Sequence, residues 1–238
     1  MKRLMALALL APMMANAEII EIVAQGTVTN SYDQSEGYNF VDGTVTAYWR
    51  FDTNNVPTDS NSNPEVGSYY NGGEWIESWI EIANDPADDI SEDTGTSTNR
   101  EYDQVNMQDG YNGYDRYQIQ STGYNYYRGW WRSSSITNYW TSTAYFVDYI
   151  DDILSGVSLA QSFSWIDDDV QDYGYGSVQG YDSRYCSGYY YTCSYSNRFY
   201  INYTLDSLTA RAVSEPATLA LLGLGLGALV MRRRRNSA

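Results

Sequence analysis

Histidine is absent from the 238-residue sequence, and its one lysine is Lys2. Without an imidazole, Ser-His-Asp hydrolysis, zinc-protease helices and histidine-ligated metal sites are all excluded. Basic residues are few, since 14 arginines and lysines stand against 30 acidic residues and the formal net charge is −16. A chain this acidic repels a phosphate backbone, so nucleic-acid binding is excluded as well.

Long hydrophobic runs are also missing, but a short one lies near each end of the chain. At the beginning, Lys2 and Arg3 precede an apolar stretch, and Ala15 and Ala17 form a small-x-small cleavage site. This order of parts is typical of a secretory signal peptide. We therefore expect residues 1–17 to be removed during export.

The other apolar run lies in the last 25 residues, 214–238. It covers residues 217–231 and is uncharged. A polar motif precedes it and an arginine cluster follows; these residues are Ser214, Glu215 and Pro216, then Arg232, Arg233, Arg234 and Arg235. A helix over the run would be roughly 22 Å long, short of the hydrocarbon core of about 30 Å. Arginines belong on the cytoplasmic side, which puts the preceding domain outside the inner membrane.

This order of motif, short hydrophobic helix and arginines resembles the PEP-CTERM tail of Gram-negative bacteria. The commoner motif opens Pro-Glu-Pro, and Ser214 takes the first place here. The resemblance implies processing by an exosortase, only transient residence in the inner membrane, and delivery to the cell envelope, outer surface or extracellular matrix. A plain permanent anchor is the alternative. We expect cleavage near Glu215 and Pro216, because the proline prevents helix continuation and keeps the backbone extended at the membrane edge.

Residues 18–213 remain for the folded part, and they predict one all-β domain rather than two small ones. Its 25 tyrosines and 7 tryptophans favour strands with one wet face. Short alternating runs between turn-rich loops predict an antiparallel β-sandwich or jelly-roll-like fold. The runs predicted as strands are 18–29, 43–51, 74–82, 102–108, 114–120, 139–149, 159–166 and 197–212.

The strand at 43–51 has the clearest pattern, since Val45, Ala47, Trp49 and Phe51 alternate with polar residues. In the run 74–82 the isoleucines are predicted to face inward, and Trp75 and Trp79 outward. Asp109-Gly110 predicts a hairpin between two strands. Prolines and glycines predict a long loop at 52–73, and glycine-rich composition predicts an irregular loop at 121–135.

The early pattern Gly26-Thr-Val-Thr29, then Val45 to Thr53, then Pro57-Thr-Asp-Ser60 is similar to one that recurs among exported proteins of this sorting class. Those proteins resemble β-sandwich domains of unassigned activity. The similarity covers about the first third of the folded part, and it implies a fold rather than a chemistry.

The two cysteines, Cys186 and Cys193, are an even count in an exported domain. We expect them to form a disulfide that closes a short loop. A redox or metal-binding thiol pair is the alternative, but the spacing is not C-x-x-C and no histidine is present.

Clustered carboxylates can bind calcium, an ion that takes six to eight oxygen ligands. The best candidates are Asp167, Asp169 and Asp172, although they lack the EF-hand spacing. A solvated acidic loop without a cofactor is the default interpretation.

Paired carboxylates can also hydrolyse glycosides. However, neither Glu-x-Asp-x-Glu nor Glu-x-Asp-x-x-Glu occurs, so we expect no catalytic residues and no enzyme. Aromatic clusters can stack on sugars, but the default interpretation is that such rings fill the sandwich and its wet faces; the candidates for stacking are Tyr124, Tyr126, Tyr127, Trp130 and Trp131. The sequence thus predicts an exported structural protein of the cell surface or exopolysaccharide matrix. A carbohydrate-binding or adhesive module, with or without calcium, is the alternative, and a carbohydrate-active enzyme ranks last.

Overall fold

The structure is a computed structural model, and it describes residues 18–33, 39–73, 75–83, 100–128, 133–188 and 191–213. The predicted signal peptide, the sorting tail and the C-terminal hydrophobic helix lie outside these residues. In the part that is described, no helix is long and apolar enough to cross a membrane.

Eleven strands and a single 3₁₀ turn at Tyr111–Gly113 make up the regular structure of the described residues. The strands are β1 (Ile19–Asp33), β2 (Thr44–Asp52), β3 (Val66–Asn71), β4 (Glu77–Ile82), β5 (Arg100–Glu101), β6 (Asp103–Gln108), β7 (Asp115–Arg128), β8 (Ser133–Asp148), β9 (Phe163–Ile166), β10 (Tyr173–Gly188) and β11 (Tyr191–Val213). Every pairing between them is antiparallel. The all-β, antiparallel prediction is confirmed.

The strands form one continuous sheet in the order β3-β6-β7-β8-β10-β11-β1-β2-β4, with β5 beside β7 and β9 beside β11. One end of this order contacts the strand next to the other end. The backbone N–H groups of Trp75 and Ile76, which lead into β4, donate to Asp103 Oδ2 on β6 at 2.8 and 2.9 Å. The sheet is therefore curled on itself, which differs from two separately hydrogen-bonded sheets of a sandwich.

The core lies on the inner face of the curled sheet. Val45, Ala47, Trp49 and Phe51 of β2 are buried, as their alternation predicts. Across the interior, the ring of Trp165 on β9 stacks on Phe146 of β8 with centroids 5.1 Å apart. The aromatic side chains of β9, which pairs with β11, therefore pack on those of β7 and β8 across the interior.

The long strand β10 was not predicted, although it lies between β8 and β11 near the middle of the sheet. Its sequence is rich in glycine, a residue that is depleted in strands. The glycines occupy inward positions that large rings cover. A Cβ added at Gly174, Gly176 or Gly180 would lie 2.6, 2.0 or 2.1 Å from a ring atom of Trp165, Tyr203 or Phe199, respectively. Only a residue without a side chain leaves room for these rings.

Three other predictions are wrong in part. The predicted loop 52–73 contains β3, and most of the predicted loop 121–135 belongs to β7 and β8. Trp75 was predicted to face outward, but it is buried, with its ring edge against Phe51 and its indole Nε1–H donating to the Asp103 carbonyl. The hairpin at Asp109-Gly110 is confirmed, since β6 and β7 pair across it.

Candidate functional site

The predicted calcium ligands lie in the loop between β9 and β10. Asp167 is exposed, Asp169 is half-buried and Asp172 is buried. Asp172 Oδ1 accepts the backbone N–H of Tyr149 at 3.1 Å. Burial raises the pKa of Asp172, and the Tyr149 hydrogen bond opposes that effect. Asp172 therefore connects this loop to the end of β8 by a hydrogen bond. Calcium binding by Asp167, Asp169 and Asp172 stays a prediction.

A different trio of carboxylates comes together at the same end of the sheet. Oxygens of Asp109, Asp115 and Asp152 lie within 4.8 Å of one another. Burial raises the pKa of Asp109, and so do the neighbouring charges of Asp115 and Asp152. Three hard oxygens can contribute to a calcium site, which needs at least three more.

The buried carboxylate of this trio, that of Asp115, also accepts hydrogen bonds from the backbone. Asp115 Oδ1 accepts the N–H of Gly110, and its Oδ2 accepts the N–H of Leu154, both at 2.7 Å. These bonds join the β6–β7 hairpin to the segment after β8. The sequence did not indicate this trio, because Asp152 is distant in the chain and only folding brings it to the hairpin.

Five tyrosines form a patch on the outer face of the sheet, which we call the tyrosine patch: Tyr114, Tyr145, Tyr149, Tyr173 and Tyr175. Tyr145 lies directly across from Tyr175 in the β8–β10 register, and their ring centroids are 5.0 Å apart. The hydroxyls of Tyr145 and Tyr173 are 3.2 Å apart, and Tyr114 packs on Tyr149 at 5.3 Å. Tyr149, Tyr173 and Tyr175 are 46%, 45% and 51% exposed.

The position of the tyrosine patch is explained by β10, in which inward-facing glycines alternate with outward-facing tyrosines. Gly174 and Gly176 face the core, so Tyr173 and Tyr175 face solvent. Burial raises the pKa of Tyr145, and the hydrogen bond with Tyr173 raises it further. The phenol of Tyr145 is therefore neutral at neutral pH.

Arg116 of β7 connects the patch to a polar pocket. Its guanidinium lies over the Tyr145 ring, 4.8 Å from the centroid, and its Nη2 donates to Gln118 Oε1 at 3.2 Å. The pocket has a volume of about 250 Å³. It is lined by Asn61, Val66, Gly67, Ser68, Asn106, Met107, Gln108 and Arg116.

Two polar atoms of residues that line this pocket lack partners in the described part of the chain. They are Nε of Arg116, a donor, and Oε1 of Gln108, an acceptor, and both atoms are buried. Buried polar atoms in native proteins are almost always satisfied, by protein, water or ligand. Ser68 and Asn106, in contrast, satisfy one another through a 2.9 Å hydrogen bond across β3 and β6.

The aromatic cluster predicted from the sequence is a different one. The backbone of residues 124–128 belongs to β7, but the side chains of Tyr124, Tyr126 and Tyr127 and all of residues 129–132 lie outside the described part. Their role in sugar stacking stays a prediction. The alternation Tyr173-Gly-Tyr-Gly176 is the sequence feature that could have indicated the patch described above.

The two cysteines lie opposite each other in the hairpin of β10 and β11. The register pairs Cys186 with Cys193. Directly opposed residues in antiparallel strands have Cα atoms about 4.5 to 5.5 Å apart, within the range of about 4.4 to 6.8 Å for disulfides. Their side chains are outside the described part, so the disulfide stays a prediction.

The last described residue belongs to the sheet. Val213 pairs with Ile19 at the start of β1, so the predicted mature N-terminus and the point where the tail begins are neighbours. A family model of the PEP-CTERM protein-sorting motif matches residues 212–235. The match includes Ser214 to Pro216 and all four arginines. No curated protein and no solved structure matches the chain.

Proposed function

We propose, from the PEP-CTERM protein-sorting motif at its end, that this chain is a structural protein of the cell surface or exopolysaccharide matrix of a Gram-negative bacterium. An exosortase cleaves the tail near Glu215 and Pro216, after a transient stay in the inner membrane. The motif carries this proposal, and two features support it. The chain is strongly acidic, which keeps an exported domain soluble, and its described part forms one antiparallel sheet.

The test is to follow the tail in cells that express an exosortase. The double variant Glu215→Ala/Pro216→Ala should remain in the inner membrane at full length, whereas the parent protein should reach the surface without Arg232 to Arg235. Ser214→Pro is the matched control, because it restores the commoner motif and should preserve sorting. Intact mass of the surface form decides the outcome: recovery with Ala238 still attached would show that the tail is a permanent anchor.

A second candidate function is a carbohydrate-binding or adhesive module. The tyrosine patch next to the polar pocket favours it, because exposed rings beside hydrogen-bonding groups suit sugars. The trio of Asp109, Asp115 and Asp152 makes calcium assistance a part of this candidate. Retention of the protein on polysaccharide extracted from the same cells, compared with and without a calcium chelator, tests both points.

Neither candidate is an enzyme. The lack of histidine and of a strand-borne carboxylate triplet supports this part of the proposal. Release of soluble sugars from the extracted polysaccharide by the purified protein would contradict it and would favour a carbohydrate-active enzyme.

A further inference from the structure

We infer that the tyrosine patch and the polar pocket form one binding site for a neutral polysaccharide chain. The inference rests on the second candidate function and specifies its location and ligand. Four neighbouring strands carry the site: Gln108 on β6, Arg116 on β7, Tyr145 on β8, and Tyr173 and Tyr175 on β10.

The register makes these residues continuous across the sheet. Gln108 pairs with Arg116, and Tyr145 pairs with Tyr175. The guanidinium of Arg116 lies over Tyr145 and so connects the two pairs. Strands lie about 4.8 Å apart, so the three steps from β6 to β10 span roughly 14 Å. A surface of this length fits several linked sugars better than a single small molecule.

The chemistry of the surface matches a sugar chain. Sugars present apolar faces that stack on aromatic rings, and the half-exposed rings of Tyr173 and Tyr175 provide such contacts. They also present hydroxyls, which both donate and accept hydrogen bonds. The Nε donor of Arg116 and the Oε1 acceptor of Gln108 are two of the buried atoms whose hydrogen bonds are not supplied by the described protein, and they are the two that belong to residues lining the pocket. Hydroxyl groups can satisfy both, whereas an apolar ligand can satisfy neither.

The surrounding charge selects a neutral polysaccharide. Asp109 follows Gln108 directly, and its carboxylate clusters with those of Asp115 and Asp152. The chain as a whole has a net charge of −16. A polyuronate would be repelled by this field, and the one guanidinium at the site is too little to compensate.

Affinity electrophoresis of the full chain tests the inference. The gels contain soluble β-glucan, mannan, alginate or polysaccharide extracted from the producing cells. Tyr175→Ala and Arg116→Gln should each weaken retardation by a neutral polymer about tenfold, as expected for an aromatic or arginine anchor at a binding site. Tyr32→Ala is the matched control: Tyr32 is 46% exposed and stacks on Tyr200 at 5.7 Å, but it lies on β1, away from the site.

Each outcome of this experiment either supports or overturns the proposed binding site. Loss of retardation in the two site variants but not in Tyr32→Ala, with unchanged thermal unfolding, supports the site. Equal retardation of all variants, retardation by alginate above the neutral polymers, or no retardation of the parent protein overturns it. The tail-processing experiment is independent, because a correctly sorted protein that binds no polysaccharide contradicts this inference alone.

Discussion

Among the described arginines that lie over aromatic rings, Arg50 and Arg116 have different surroundings. Arg50 lies 5.0 Å from the centroid of Trp79, and Arg116 lies 4.8 Å from that of Tyr145. Arg50 also forms a 2.7 Å ion pair with Glu21. Arg116 makes no ion pair with any residue that the structure describes.

The difference lies in whether a carboxylate binds the guanidinium. Glu21 is buried and accepts hydrogen bonds from Arg50 on β2 and Arg211 on β11, which flank β1. Burial alone would raise the pKa of Glu21, but the two arginines hold it below its ordinary value. This group, which we call the Glu21 clamp, joins three strands through the carboxylate of Glu21, although Nε of Arg50 has no partner among the described residues. The guanidinium of Arg116 contacts an aromatic face and Gln118, but no carboxylate of the described residues.

The largest effect on the free energy of unfolding is expected in the hairpin of β10 and β11. This hairpin joins the tyrosine patch, which includes residues of β10, to the Glu21 clamp, which includes Arg211 of β11. A disulfide between Cys186 and Cys193 would stabilise the protein by about 2 to 3 kcal/mol, as closing a short loop of the unfolded chain does. Cys186→Ser/Cys193→Ser should lower the free energy of unfolding by that amount. Thiol labelling of the unreduced, unfolded parent protein should find no free cysteine. Full labelling would disprove the disulfide.

The next largest effect on stability is expected in the Glu21 clamp, and none of comparable size is expected in the tyrosine patch. Glu21→Gln should lower the free energy of unfolding by about 2 kcal/mol, because it removes a buried carboxylate that accepts charged hydrogen bonds from two arginines. Glu77→Gln is the control, since Glu77 is exposed and its 4.0 Å contact with Arg50 is worth less than about 1 kcal/mol. Urea unfolding measures both. Equal effects would mean that the clamp is no stronger than a surface pair.

The clamp should also show itself in the pH dependence of stability. The pKa of Glu21 is lower in the folded protein than in the unfolded chain, so its ionised form stabilises the fold above the unfolded value of about 4.3. That stabilisation is lost as pH falls through the folded value. The stability difference between the parent protein and Glu21→Gln should therefore be constant near pH 7 and shrink at acidic pH. A difference that persists unchanged at low pH would assign the effect to packing instead of charge.

The smallest effect on stability is expected at Arg116. Arg116→Gln removes a cation–π contact at a partly exposed site, worth about 0.5 to 1 kcal/mol. Thermal unfolding should therefore barely change, while polysaccharide binding falls. A stability loss as large as that of Glu21→Gln would identify Arg116 as a second structural clamp and remove the contrast between the two regions.

Local patterns predicted those parts of the fold whose residues are neighbours in the chain. The alternation of apolar and polar residues in β2 indicated which face of that strand is buried. The dipeptide Asp109-Gly110 indicated the hairpin between β6 and β7. The strand β10 was not predicted because its sequence is rich in glycine, which by itself does not favour strands. Its glycines become favourable only when Tyr203 and Phe199 of the neighbouring strand cover them. The buried orientation of Trp75 likewise depends on Asp103, which lies 28 residues further along the chain.

The sequence by itself determined the antiparallel β class and the sorting motif, because composition and the order of local segments suffice for these. Tertiary structure decided which distant residues meet. Glu21 and Arg211 are 190 residues apart in the chain and 2.6 Å apart in the fold. The Glu21 clamp, the carboxylate trio and the tyrosine patch each depend on strand order and register. These are set by how the whole sheet curls to bury its inner face, and no single segment contains that information.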